Sequence, residues 1–449
     1  MSSLLVKTVS LLSFLALSSA AAEFRAGVAR VDITPAGPIR LSGYASRTHP
    51  SDGVITPLYA KALAIEDSKK HRIVIVTTDL VGLPRAITDV VSARLQKEYG
   101  LDRAQLLFNC SHTHTGPMIQ GNLTTMSELE PTEKQIIADY SLKLTDELVS
   151  VVGGALKDLA PADIWYGVGE AGFAINRREP TATGVKIGLN PKGPVDHTVP
   201  VLRVTDANGK LRAVLFGYAC HNTTLTGQFY GISGDYAGFA QKAIEDANPG
   251  ATAMFFQLCA GDQNPNPRST LALAEDHGKE LAASVEKVLS GSLERVRGPV
   301  RTAFQVNDVA LAPHTRDEFE GLKNDSNVSK RLNAQLMLRA YDAGHPVRSV
   351  AYPVQAIRFG KDLAILALGG EVVVDYDLRA KREFPKTKLI VAGYSNDVMC
   401  YIPSKRVLQE GGYEAVDSML YYGQPGPFTP DVEETIFTSI HQVMKRVGL

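Results

Sequence analysis

The chain predicts an α/β fold: a single large layered domain in which mixed β-sheets are flanked by helices and a metal site lies at the strand ends. Three observations carry this expectation. Short apolar runs end repeatedly in polar residues, amphipathic segments with helical spacing alternate with those runs, and no linker, internal repeat or low-complexity tract divides the sequence. In sheets with helical crossovers, ligands bind beyond the strand ends.

The runs come in order. Leu106-Leu107-Phe108 leads into Cys110-Ser111-His112-Thr113-His114-Thr115-Gly116-Pro117, and Ala213 to Ala219 leads through Cys220 into His221-Asn222-Thr223-Thr224. Met254 to Cys259 precedes Gly261-Asp262-Gln263-Asn264-Pro265-Asn266. Leu363 to Leu368 precedes Gly369-Gly370-Glu371, and Leu389 to Ala392 precedes Tyr394-Ser395-Asn396-Asp397 and then Tyr401. Because side chains alternate along a strand, His-x-His is expected to put His112 and His114 on one side of the backbone at a sheet edge. A hydrogen-bonding pair would show the same spacing. Recurrence of the pattern favours a metal site, since two histidines and a carboxylate make a common catalytic zinc set.

Helical spacing is read over Ile87 to Tyr99, Thr132 to Leu159 with an interruption at Gly153-Gly154, Tyr236 to Asn248, Leu271 to Leu289, and Asp431 to Val447. The 47 basic and 48 acidic residues leave a net charge of −1. With no long basic run, nucleic acid is excluded as a partner, and no protein partner is inferred. Residues 1–22 read as a signal peptide: Lys7, the apolar stretch Val9 to Leu17, and the small residues Ser18 to Ala22. That apolar stretch is shorter than the ~20 residues of a spanning helix, so the protein is expected to be exported, secreted or periplasmic. The four cysteines each flank a polar strand end. Buried thiols, disulfides and, least favoured, metal ligation all remain open for them.

Ser111-His112-Thr113-His114-Thr115-Gly116-Pro117 resembles the signature of the neutral ceramidase family. Further matches follow in the family's order: Val31-Asp32-Ile33-Thr34-Pro35 with Gly43-Tyr44, Asn176-Arg177, His221, Gly234-Asp235 with Gly238, Gly370-Glu371, and Tyr401 followed by Tyr413-Glu414. The resemblance implies a catalytic domain over residues 23–449 and a Zn2+ ion held by His112, His221, Glu371 and Tyr401. It implies a zinc-activated water that cleaves an N-acyl amide, ceramide-type sphingolipid first among the substrates. His114 would move the proton or hydrogen-bond the oxyanion, Tyr413 would donate to the oxyanion, and Arg177 would hold a polar substrate group. Asp235 and Asp262 are expected to brace the histidines. Peripheral contact with a membrane is compatible with such a substrate.

Two departures stand beside the resemblance. The family's Gly-Asp-x-Ser-Pro-Asn is here Gly261-Asp262-Gln263-Asn264-Pro265-Asn266, so Asn264 offers a hydrogen bond where the family has a serine hydroxyl. The family's C-terminal β-sandwich domain has no counterpart up to Leu449. Alternatives are therefore a zinc hydrolase acting on another amide or ester, and a non-catalytic homologue that binds lipid or glycan.

Overall fold

A computed structural model describes residues 23–449; the signal-peptide reading of residues 1–22 lies outside them. The larger sheet runs, in spatial order, through Thr252–Gln257, Leu211–Tyr218, Thr198–Asp206, Ala160–Glu170, Phe24–Asp32, Tyr59–Asp67, Arg72–Thr78 and Leu106–Cys110. A second sheet orders Val300–Ala310, Ser349–Phe359, Leu363–Leu368 and Lys388–Ala392. Most neighbours are antiparallel, and three pairs matter most because they are parallel. Arg72–Thr78 pairs with Leu106–Cys110 across helix Arg85–Tyr99, Leu211–Tyr218 with Thr252–Gln257 across helix Asp235–Ala247, and Leu363–Leu368 with Lys388–Ala392 across helix Asp375–Glu383. A parallel pair needs such a crossover, and its strands are covered on both faces. That explains why Leu363–Leu368 reads as an unbroken apolar run and is buried throughout.

The two sheets share one apolar core. Leu107, Leu215 and Phe256 of the first pack with Ile357, Ile365 and Ile390 of the second, each such side chain contributing about 1.5–3 kcal/mol on burial. Isolated bridges between Asn109 and Ser395 and between Leu258 and Ala392 tie the sheets together at the same end. The carboxyl ends of the parallel strands consequently converge, as a layered α/β fold with its site at strand ends requires.

The expected helices form with small shifts of boundary, with one difference. Helix Pro131–Lys157 continues through Gly153-Gly154. A Cβ on Gly153 would lie 2.2 Å from the Tyr99 hydroxyl, and one on Gly154 would lie 3.0 Å from the Ala29 Cβ. The two glycines let the helix lie close to its neighbours, which outweighs their propensity cost of about 1 kcal/mol each. All four cysteines are free, buried thiols.

Candidate metal centre

The five strand ends deliver their polar residues to one point, by routes the alternation argument did not foresee. Strand Leu106–Cys110 stops before the His-x-His segment, and His112 takes φ +63°. A non-glycine residue in the left-handed region costs about 1–3 kcal/mol and persists where its surroundings over-determine it. Here the His112 amide donates to Leu80 O at 2.9 Å, and Thr113 bridges to Asn222. The turn nonetheless brings the rings of His112 and His114 edge to face, 4.7 Å apart between centroids, with their Nε2 atoms 3.0 Å apart. Gly43 makes room for this arrangement: at φ +92° it lies against His114, and a Cβ there would fall 2.5 Å from the ring.

His221 follows strand Leu211–Tyr218 and is fixed by its amide, which donates to Gln263 O at 2.9 Å. Glu371 and Tyr401 face each other in a short parallel pair, Glu371–Val372 with Tyr401–Ile402. Asn264 sits in strand Gln263–Pro265, opposite Ile175 of strand Ala174–Thr181, which also carries Arg177. Every one of these side chains is buried, His114 being the most accessible at 9 %.

The donor set fits a cation. His112 Nδ1 lies 2.5 Å from Val81 O and His221 Nδ1 lies 2.7 Å from Ala260 O. A carbonyl only accepts, so each ring proton is assigned to Nδ1 and each Nε2 is left as a bare acceptor. Both Nε2 atoms stand 3.0 Å from Glu371 Oε2, another acceptor. His221 Nε2 is also 3.1 Å from the Tyr401 hydroxyl. Among His112 Nε2, His221 Nε2 and Glu371 Oε2 no hydrogen is available, so their lone pairs repel one another, and a positive ion among them turns that repulsion into attraction. Nitrogen and carboxylate oxygen donors are those zinc takes. His112, His114 and His221 together form a buried group whose ligand atoms lie within 4.8 Å of one another. His114 thus faces the same centre as the two histidines expected to be ligands.

Electrostatics support this assignment. Burial and then Arg177 hold His221 down to about 4, and burial with His112 and His221 holds His114 well below the ordinary histidine range. Both rings are therefore neutral at pH 7, the state in which histidine binds metals.

Arg177 is 4 % exposed and committed on every nitrogen. Nε donates to Glu414 at 2.7 Å, Nη1 to Asn264 Oδ1 at 3.2 Å beside His221 Nε2 at 3.1 Å, and Nη2 to the Tyr401 hydroxyl at 3.0 Å. It holds the site's own side chains together. Tyr413 stands half-buried at the margin, its ring 5.4 Å from that of Tyr401 and 5.6 Å from the Arg177 guanidinium. Asp235 and Asp262 do not touch the histidines. Asp235 accepts from the Leu225 and Tyr236 amides, Asp262 from Asn176 and the Val374 amide, and the imidazole protons go to backbone carbonyls instead. Two residues escaped the sequence: Tyr422, whose hydroxyl donates to Glu371 Oε1, and Glu414 as the bridge between Arg177 and Arg178. The Tyr413-Glu414 motif pointed to Glu414 without its role, and nothing in the sequence around Tyr422 marked it.

Fold and site together define an α/β protein with a buried His, Glu and Tyr centre of the kind that binds a catalytic metal. The family profile described as neutral/alkaline non-lysosomal ceramidase, N-terminal, matches residues 24–311, and the chain belongs to that family. Glu371, Tyr401 and Tyr413 lie beyond the matched stretch. Neutral ceramidase of Pseudomonas aeruginosa is 28% identical over 324 residues, covering 66% of this chain and 46% of that protein. Neutral ceramidase B of Dictyostelium discoideum is 28% identical over 272 residues, covering 56% and 37%. The chain thus spans less than half the length of these two relatives. The crystal structure of the Pseudomonas aeruginosa neutral ceramidase superposes with a TM-score of 0.73 at 22% identity, over 94% of this chain and 74% of that one, a likeness of fold.

Proposed function

We propose that this protein is an exported zinc-dependent amidohydrolase that cleaves the N-acyl amide of a ceramide-type lipid into a fatty acid and an amine. The observation that carries the reading is the convergence of His112 Nε2 and His221 Nε2 on Glu371 Oε2, with Tyr401 alongside. These four residues would hold the ion, and residues 23–449 would form the catalytic domain. Bound zinc supplies a Lewis acid for the amide carbonyl and brings the pKa of a water toward neutrality. His114, neutral and the most accessible of the three histidines, takes the proton from the attacking water and returns it to the leaving nitrogen. Tyr413, half-buried at the margin, donates to the developing oxyanion. Asn264 holds the Arg177 guanidinium through Oδ1, and Arg177 in turn steadies Tyr401 rather than the substrate. Export rests on the composition of residues 1–22. Among the described residues no helix is long and apolar enough to cross a membrane. Contact with a lipid surface, which a ceramide-type substrate calls for, is proposed to be peripheral.

Asn264 in place of serine favours a second reading, in which the same chemistry acts on a different amide or an ester. Asn264→Ala removes at most a hydrogen bond or two, about 1–3 kcal/mol, and should lower turnover roughly ten- to a hundredfold with zinc retained. Asn264→Ser should keep the metal as well. Turnover of fluorescent ceramide and of a panel of N-acyl amides, measured at equal zinc occupancy, separates the cases. Ceramide cleavage by the parent shows that a serine is dispensable at this position. Cleavage only by Asn264→Ser assigns the parent another substrate. No cleavage by any variant with zinc bound eliminates the hydrolase reading for ceramide.

A further inference from the structure

We infer that Tyr422 is a positioning residue of the metal centre: its hydroxyl donates to Glu371 Oε1 and so leaves Oε2 alone to face the cation. The inference rests on the metal reading above and adds to it a residue outside the proposed ligand set. The two carboxylate oxygens have different surroundings. Oε2 stands 3.0 Å from the Nε2 atoms of both His112 and His221, and Oε1 accepts from Tyr422. A carboxylate turning freely about its last bond can present either oxygen, or both. A donor fixed on Oε1 selects one-oxygen binding and sets the direction of the Oε2 lone pair. It also removes torsional freedom that the metal would otherwise have to quench.

The hydroxyl can do this because its carrier is held on several sides. Tyr422 ends the 3-10 helix Asp417–Tyr422, and Gly423, at φ +70°, closes it by donating to Leu420 O at 3.3 Å. Leu420 O also accepts from the Thr125 hydroxyl and, at 3.1 Å, from Asn333 Nδ2. Gln424 donates from its amide to Met419 O at 3.0 Å and from its side chain to Met399 O at 3.2 Å. The other oxygen ligand has a comparable partner, since Arg177 Nη2 donates to the Tyr401 hydroxyl at 3.0 Å. Each oxygen donor to the proposed ion therefore accepts one hydrogen bond from a side chain outside the proposed ligand set.

The test measures zinc affinity by competition with a chromophoric chelator for the parent, Tyr422→Phe, Tyr421→Phe and Glu371→Ala, together with the visible spectrum of each cobalt(II)-substituted protein. Tyr422→Phe deletes one oxygen and keeps the ring. It should bind zinc ten- to a hundredfold more weakly, the range in which loss of a partner of a metal ligand falls, and shift the cobalt bands. Tyr421→Phe, one residue away and not hydrogen-bonded to Glu371, should match the parent in both. Should Tyr422→Phe match the parent while Glu371→Ala loses zinc, the metal reading stands and the role of Tyr422 is overturned. A parent that binds no zinc overturns both.

Discussion

His112→Ala is expected to abolish metal binding and hydrolysis together, whereas His114→Ala keeps the metal and slows turnover. His112 is locked at φ +63° with its ring proton given to Val81 O, which leaves the Nε2 lone pair free to bind a metal. Losing a ligand removes several kcal/mol of charge stabilisation, on the order of a thousandfold or more in rate. His114 has no comparable anchor, for its Nδ1 is buried without a hydrogen-bond partner. As a proton carrier its loss should cost about 10²–10⁴-fold at nearly full zinc occupancy. Elemental analysis and steady-state rates on the two variants decide between the roles. Equal loss of metal from both makes His114 a ligand, an outcome its 3.0 Å approach to His112 Nε2 would accommodate.

Glu414→Gln should be the most damaging substitution to the fold. Glu414 is 1 % exposed and accepts from Arg177 Nε at 2.7 Å and from Arg178 Nη1 at 2.5 Å, both guanidinium groups being buried as well. Arg178 has further acceptors in Glu410 and the Gly411 carbonyl, while Arg177 has no other carboxylate partner among the described residues. Removing the charge leaves a buried guanidinium uncompensated, a loss of about 3–5 kcal/mol. A denaturant midpoint shifted by that amount, with zinc affinity lowered because Arg177 no longer braces Tyr401, is the expected result. An unchanged midpoint would mean that water or a rearranged neighbour takes over the carboxylate's part.

Much of this architecture was legible because parallel strands write themselves as apolar runs. Leu106 to Cys110, Ala213 to Tyr218, Met254 to Gln257, Leu363 to Leu368 and Leu389 to Ala392 all lie in strands, and the residues after them meet. What stayed hidden depends on contacts distant in sequence. Helix Asp375–Glu383 crosses between two core strands, yet its charged sequence, with only Tyr376, Asp377 and Ala380 buried, gave no helical apolar stripe. The left-handed turn at His112 has no mark in a histidine, since glycine is the residue that normally signals that conformation. Tyr401 came from family likeness rather than from spacing, and Arg177, expected to face substrate, turned out to be surrounded by Glu414, Asn264, His221 and Tyr401. Tyr422 reaches Glu371 only through the fold.

A single zinc ion at His112, His221, Glu371 and Tyr401 that drives amide hydrolysis is put to the test by titrating chelator-stripped protein with zinc while following fatty-acid release from fluorescent ceramide. The expected result is negligible release from the stripped protein and a rise in step with zinc that ends at one ion per chain. Full release from the metal-free protein, or none at saturating zinc, would contradict it.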